Sequence, residues 1–396
     1  MKIAFITSGG LAPCLSASIG ALVTEYSANA PDAQLMGYLN GYRGLLIGQS
    51  IDFPDTVRQN SEVLMEYGGS PIGNSRVKLT NVDDCVNKGY VEEGDNPVEV
   101  AAAQLVKDGV TILHTIGGDD TNTMAAALSA HLAEKGHKLT VVGLPKTVDN
   151  DVVPITQSLG AWTAAEQGAI FFENIANENT TSTRQLIIHE VMGRNCGWLT
   201  AATAREYRLR LAKRRFLTEL LISRERWYVD AVYVPELAID FAIEVERLRE
   251  RMDEKDGVNI FLSEGAGVET IVAEMEAAGE DVPRDPFGHV RLDDINPGQW
   301  FAKQFTEKLG AEKTLVQKSG YFARSAAPND RDLDLIRKSA KLAAQFGLVG
   351  KSGVVGMDHD SGDKLGLIAF DRIKGGKPFD TTVQWFVDIR NEIGQT

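Results

Sequence analysis

Val110 to Ile116 followed by Gly117-Gly118-Asp119-Asp120-Thr121, and Leu139 to Leu144 followed by Pro145-Lys146-Thr147-Val148-Asp149-Asn150-Asp151, decide the fold. Each is a short apolar run that breaks at an acidic turn, and between them Met124 to Lys135 has the composition of a helix. A strand, a helix and a strand at this spacing predict one βαβ unit. Its two acidic turns then fall at the carboxyl ends of adjacent parallel strands, where open α/β sheets bind ligands. Four acidic side chains and Lys146 converge there. Carboxylates beside glycine backbone suit a hard cation or a proton, so the pattern reads as a phosphoryl-transfer site.

Working outward, the same grammar recurs. Lys2 to Thr7 is a buried-strand pattern that ends at Ser8-Gly9-Gly10, and Leu11 to Ser27 has helical spacing. A double glycine between strand and helix lets backbone N–H groups approach an anion, which makes Gly10 a candidate for holding the donor. The loop from Gly68 to Lys78 adds Arg76 and Lys78 beside glycine and serine, as anion-gripping cations. Further on, Gln185 to Val191 predicts a strand ending at Met192-Gly193-Arg194, with a helix from Trp198. The macrodipole disfavours a cation at a helix start unless an anion is also present, so Arg194 reads as functional. Val258 to Leu262 ends at Glu264, and Thr314 to Gln317 leads into Gly320-Tyr321-Phe322-Ala323-Arg324. Asp281 to Gly298 reads as an inserted loop, Pro328 to Phe346 as a helix, and Gly353 to Met357 and Leu365 to Phe370 as closing strands.

Composition narrows the class. The 396 residues suffice for two domains, and a formal charge of −14 argues against nucleic acid or an anionic membrane surface as partner. Three scattered cysteines give neither a disulfide framework nor a zinc spacing, which points to a cytoplasmic protein. No leader pattern and no run of about 18 apolar residues is found, so neither secretion nor membrane spanning is expected. Six cations between Arg205 and Arg215 suit RNA, but in so acidic a chain a solvated face or a subunit contact is the better expectation. The six histidines, His114, His131, His137, His189, His289 and His359, show no metal-ligand pairing; His114 and His189 fall inside strand patterns and read as core or site-wall residues, and none of the six is expected to transfer a proton.

Phosphoryl transfer to a hydroxyl needs a cation on the donor phosphates, positive charge on the transferring group, and a base at the acceptor. Asp119 is placed to hold Mg2+, directly or through water. Asp149 is the candidate base, and Lys146 is placed to neutralise charge on the phosphoryl group. Helix capping and turn formation are the competing explanation for such aspartates, weakened here by two acidic turns one βαβ unit apart.

With these residues the sequence resembles the 6-phosphofructokinase family. The matching pieces run in order through nearly the whole chain: Thr7 to Gly10, Gly68-Gly69 to Arg76, Gly117 to Asp119, Pro145 to Asp151, Met192 to Arg194, Glu264, and Gly320-Tyr321 through Arg324. The resemblance implies an α/β protein of two Rossmann-like, three-layer α/β/α domains with the active site in the cleft between them. Residues 1–158 plus about 326–352 would form the diphosphate and Mg domain, and 159–325 plus about 353–396 the fructose 6-phosphate domain. It further implies Asp119 as the metal residue, Asp149 as the base for the sugar 1-hydroxyl, and Thr147, Val148, Met192, Gly193, Arg194, Glu264, Tyr321 and Arg324 as sugar-phosphate contacts. Arg184 matches an arginine contributed across a subunit interface, so a homodimer or homotetramer with a shared site is expected.

Asp120 with Lys146 resembles the pyrophosphate-dependent branch, since ATP-using members usually carry glycine at position 120. A carboxylate there would repel the α-phosphate of a nucleotide, while Lys146 supplies charge to a donor that brings no adenosine. Leu11, Cys14 and Ser16 stand where ATP-type members carry aspartate, glycine and asparagine. The expected reaction is reversible, Mg2+-dependent transfer from diphosphate to fructose 6-phosphate. An ATP-dependent member of the family and a catalytically silent sugar-phosphate-binding subunit are the alternatives. Lipid and NAD kinases share a Gly-Gly-Asp turn but would not need Met192 to Arg194, and a dinucleotide fingerprint is missing after Gly10.

Overall fold

In the computed structural model, residues 1–284 and 290–395 are described. The chain divides into two compact units, Met1–Thr163 with Arg324–Lys377, and Ala164–Ala323 with Pro378–Thr396, as far as these are described. Among the described residues the strands are, in chain order, β1 (Lys2–Thr7), β2 (Gln34–Tyr38), β3 (Ser50–Asp52), β4 (Ile112–Gly117), β5 (Thr140–Pro145), β6 (Gln185–Val191), β7 (Ala231–Tyr233), β8 (Gly257–Ser263), β9 (Lys313–Lys318), β10 (Gly353–Asp358) and β11 (Lys364–Ile368).

The first unit is built on a seven-stranded sheet of order β11-β10-β5-β4-β1-β2-β3. Its middle strands are parallel, and only the edge pairs β2–β3 and β10–β11 are antiparallel. β4 and β5 are buried along their whole length, His114, Thr115 and Thr140 included, as expected where both faces of a parallel sheet are covered. The helix Asp119–Glu134 joins them and buries Met124, Ala125, Leu128 and Leu132, spaced for a single face. Those residues pack with Ala4, Ile6, Leu113 and Val141 in one core. The predicted βαβ unit is therefore present, and its register sets Gly117 opposite Pro145.

The second unit carries a parallel sheet of order β7-β8-β6-β9. β6 and β8 are again fully buried. On one side lies an aromatic core of Phe172, Tyr207, Trp227, Phe261 and Phe386, with Phe172 and Tyr207 meeting edge to face at 4.8 Å. His189 is enclosed among these rings, and burial pushes its imidazole down to about 3, so it is a neutral core histidine. His114 in β4 is held between Tyr26 Oη at 2.6 Å and Val142 O at 3.0 Å, likewise buried and pushed down to about 4.

Two expectations need correction. Residues 353–377 belong to the first unit, not the second: β10 pairs in parallel with β5, and Val354 and Ile368 share a core with Val152, Ile155 and Ile373. An apolar run announces that a strand is buried but not which sheet receives it. The Asp281 to Gly298 stretch is not simply a loop, since Leu292–Ile295 is helical and Pro297 opens the helix Pro297–Thr306, a position where its missing N–H costs nothing. Residues 285–289 of that stretch, His289 among them, lie outside the described residues.

The basic cluster lies on or just after the helix Trp198–Lys213, and part of it is engaged within its own unit. Arg208 pairs with Glu392, Arg210 and Arg214 with Glu173, and Arg205 stacks over the Trp385 ring at 5.0 Å. Among the described residues no helix is long and apolar enough to cross a membrane.

Candidate active site

The turn after β4 is fixed by Asn122, which reaches back from the first helical turn. Its amide donates to Gly117 O at 3.1 Å and Gly118 O at 2.8 Å, and its Oδ1 accepts from Thr115 Oγ1 at 3.0 Å. Asp119 and Asp120 thus occupy the first turn of the helix, where the macrodipole favours negative charge. Burial nevertheless holds the half-buried Asp119 carboxyl above its ordinary value, against the backbone N–H of Asp120, and the Asp120 and Asp151 charges add to the rise. A carboxylate raised by burial and by like charges is one that a cation would stabilise.

Facing it, Lys146 follows β5 and is 4% exposed. Its backbone N–H donates to Gly117 O at 2.9 Å and its Nζ to Gly10 O at 2.5 Å. A Cβ built on Gly9 would stand only 3.1 Å from that ammonium, and one on Gly10 3.7 Å from the Arg76 guanidinium. Burial pushes the Lys146 ammonium down to about 8, with nearby Arg76 adding to the effect against Cys14, Asp149 and Asp151. Asp149 and Asp151 follow on the same turn, shaped by the Asp149 N–H donating to Thr147 Oγ1 at 3.1 Å and by Asn150 at φ 56°, whose Oδ1 accepts from Ser158 N at 2.8 Å.

The loop from Gly68 to Arg76 is docked onto the end of β1. Thr7 Oγ1 meets Ser70 Oγ at 2.8 Å and Gly73 O at 2.7 Å, Ser8 Oγ donates to Ser75 O, and Asn74 donates to Gly9 O. The first loop is thereby different from a simple phosphate-cradling turn. Gly9 N–H is already donated to Ser75 O, and the helix begins only at Leu15. Positive charge at Gly9 and Gly10 comes instead from Lys146 and Arg76. Lys78 is paired at the surface with the same turn, its Nζ 2.5 Å from Asp120 Oδ2.

Oxygen donors at Asp119 and Asp151 fit magnesium, which is commonly held by one or two carboxylates with the rest of its shell from water and phosphate. Among the described residues no group of three His, Cys, Asp or Glu side chains is gathered for a metal, so most of that shell would have to come from the donor and solvent.

In the second unit, the ends of β6 and β8 bring together Met192, Gly193, Arg194 and Glu264. Glu264 N–H donates to Val191 O at 2.9 Å, Ser263 Oγ donates to Gly193 O, and Gly193 N–H reaches Glu264 Oε1 at 3.4 Å. Burial raises the Glu264 carboxyl, while the Gly193 N–H and the Arg194 charge oppose it. Arg194 and Asn195 border a cavity of about 760 Å³ with Glu236, Glu269 and Arg284 along its wall. A Cβ on Gly320 would stand 3.1 Å from Met192 Sδ, so the start of the Tyr321 segment abuts this turn, and Tyr321 itself is 80% exposed. Arg324 opens the later segment of the first unit.

Arg184 is not part of that cluster. It precedes β6 at its amino end, eight residues and roughly 26 Å of strand away from Met192. Its Nε and Nη2 donate to Gly310 O and Leu309 O, both at 2.7 Å, and its Nη1 pairs with Asp253 at 2.7 Å.

Sequence reading passed over Gly375. A Cβ there would come within 2.2 Å of Asp119 Oδ2. Its only local signal was another double glycine flanked by charge, Lys374-Gly375-Gly376-Lys377.

The two sheets, each with its glycine and charged turns at the carboxyl ends of parallel strands, define an α/β protein of the phosphotransferase kind. The chain belongs to the phosphofructokinase family, whose pattern it matches over residues 2–346. It is 60% identical over 394 residues to a pyrophosphate–fructose 6-phosphate 1-phosphotransferase of Methylomonas methanica, covering 100% of this chain and 96% of that protein. Against the protein of the same name from Methylotuvimicrobium alcaliphilum it is 58% identical over 395 residues, covering 100% and 97%. In fold it is similar to the crystal structure of a pyrophosphate-dependent phosphofructokinase from Nitrosospira multiformis, with a TM-score of 0.72 at 17% identity over 100% of this chain and 91% of that one.

Proposed function

We propose that this chain is a pyrophosphate-dependent 6-phosphofructokinase. It transfers a phosphoryl group reversibly from diphosphate to the 1-hydroxyl of fructose 6-phosphate, giving fructose 1,6-bisphosphate and phosphate, as a step of glycolysis and gluconeogenesis. One observation carries the reading: the register of Gly117 against Pro145 gathers Asp119, Asp120, Lys146, Asp149 and Asp151 at one sheet end, in a chain whose full-length relatives bear that enzyme's name.

The roles we propose join the resemblance to the geometry of the turns. Lys146 and Arg76, flanking Gly9 and Gly10, bind the phosphates of the donor, and Asp120 acts through Lys78, which it holds at the rim. Asp149 takes the proton of the 1-hydroxyl. Asp119 holds Mg2+, which when bound would neutralise charge on the donor phosphates. Thr147 and Val148 border the acceptor, and Met192, Gly193, Arg194, Glu264, Tyr321 and Arg324 bind the sugar phosphate. The protein is expected to act in the cytoplasm as a homo-oligomer.

Initial rates with fructose 6-phosphate and Mg2+, comparing diphosphate with ATP at equal concentration, test the donor. Turnover with diphosphate alone supports the reading. Turnover with ATP alone overturns it, and silence with both would favour a subunit that binds sugar phosphate without reacting.

A further inference from the structure

Residues 374–377 lie beyond the stretch that carries the family match, yet they run directly past the acidic turns. Lys374 pairs antiparallel with Val153 through two backbone hydrogen bonds of 2.7 and 3.1 Å. Three residues on, Lys377 N–H donates to Asp151 O at 2.8 Å and its Nζ to Ile155 O at 2.5 Å. The segment is thus tied at both ends to the turn that carries Asp149 and Asp151.

Between the two ties, Gly375 faces the other acidic turn. A Cβ there would stand 2.2 Å from Asp119 Oδ2 and 2.7 Å from its Cγ, distances no real Cβ tolerates. The reversal of the chain is made by Gly376 at φ 79°, whereas Gly375 is outside the left-handed region. A side chain at 375 would therefore have to push the Asp119 carboxylate aside, since that carboxylate takes the space.

We propose that Gly375 is a positioning residue for the metal carboxylate: the Lys374 to Lys377 segment seats Asp119 and ties its location to the Asp149 turn. This rests on the reading of Asp119 as the magnesium residue. Magnesium demands near-ideal octahedral geometry, so a displaced carboxylate costs metal affinity before it costs sugar-phosphate affinity. Residues that orient a metal ligand are commonly worth about 10- to 100-fold in metal affinity.

The test is Mn2+ retention by the full-length protein with diphosphate and without sugar phosphate, read as the metal held back with the protein on ultrafiltration beyond that of a protein-free diphosphate control. Gly375→Ala should weaken retention about tenfold and raise the Mg2+ concentration for half-maximal turnover similarly, with the KM for fructose 6-phosphate changed less than about twofold. Asp119→Ala is measured alongside. If Asp119→Ala retains Mn2+ like the parent, the metal reading itself falls, and the proposal with it. If Asp119→Ala loses Mn2+ while Gly375→Ala keeps it, the positioning role alone is overturned. Should Gly375→Ala fail to fold, Lys377→Met removes the tie to Ile155 O without crowding Asp119. It should weaken Mn2+ retention about threefold, and unchanged retention would overturn the proposal.

Discussion

Lys78 Nζ lies 2.5 Å from Asp120 Oδ2, so the second carboxylate of the Gly117 to Asp120 turn is also the partner of a cation that follows the docked loop. Both side chains are about half exposed, and an ion pair in that setting contributes little to stability. Its effect is on where Lys78 points and on what charge a donor meets.

Asp120→Gly should therefore leave the melting temperature within about 2 °C of the parent. It should lower kcat/KM for diphosphate by about tenfold, as expected for one displaced charge contact, and begin to admit ATP. Donor kinetics by initial rate check this, and unchanged preference would remove Asp120 from the discrimination.

Lys146 gives a pH prediction. Burial lowers its folded value from the ordinary 10.5 to about 8. Below about 8 the ammonium is charged in both folded and unfolded chains, and its burial opposes folding in full. As pH rises from about 8 towards 10.5 the folded protein sheds the proton first, so this group's penalty is relieved and stability rises across that window. Lys146→Met should accordingly raise the melting temperature at pH 7 and flatten that rise, while lowering kcat/KM for diphosphate by about a thousandfold through loss of phosphoryl-charge neutralisation. In the parent enzyme kcat/KM for diphosphate should fall as pH passes about 8. A pH profile that is flat from 7 to about 9.5 would contradict the assignment.

How far these features were visible beforehand depends on their range in the chain. Val110 to Gly117 and Leu139 to Lys146 announce buried strands because no polar residue alternates through them, and the Gly-Gly-Asp and Lys-Thr-Val-Asp turns follow directly. Partnerships between distant segments carry no such periodic mark. Nothing local to Lys78 shows that it meets Asp120, forty-two positions on, or that Gly353 to Ile368 extends the first sheet beyond β5. Arg184 is singled out by the resemblance alone, as an arginine reaching a neighbouring copy, and nothing local to it shows that its guanidinium also meets Leu309 and Gly310 of its own chain.

Asp149→Ala should lower kcat by about 10²- to 10⁴-fold, the usual contribution of a positioned base, while fructose 6-phosphate still binds. Binding by calorimetry alongside single-turnover rates separates the two effects. A variant that keeps more than about a tenth of the parent kcat would remove Asp149 from the role of base.

Arg184 is expected to act on stability within its own chain. Its guanidinium satisfies the carbonyls of Leu309 and Gly310 and pairs with Asp253, while its backbone is held at φ 45°, a conformation that costs a non-glycine residue energy and persists only when such contacts maintain it. Removing the side chain leaves two carbonyls without that donor, at about 1–2 kcal/mol after allowance for its partial exposure. Arg184→Ala should thus lower the melting temperature by a few degrees and leave the KM for fructose 6-phosphate within about twofold. Arg184→Gly, which removes the same contacts but relaxes the positive φ, should lose less stability than Arg184→Ala. A KM raised more than about tenfold with an unchanged melting temperature would instead return Arg184 to the sugar-phosphate site, reached from a neighbouring copy of the chain.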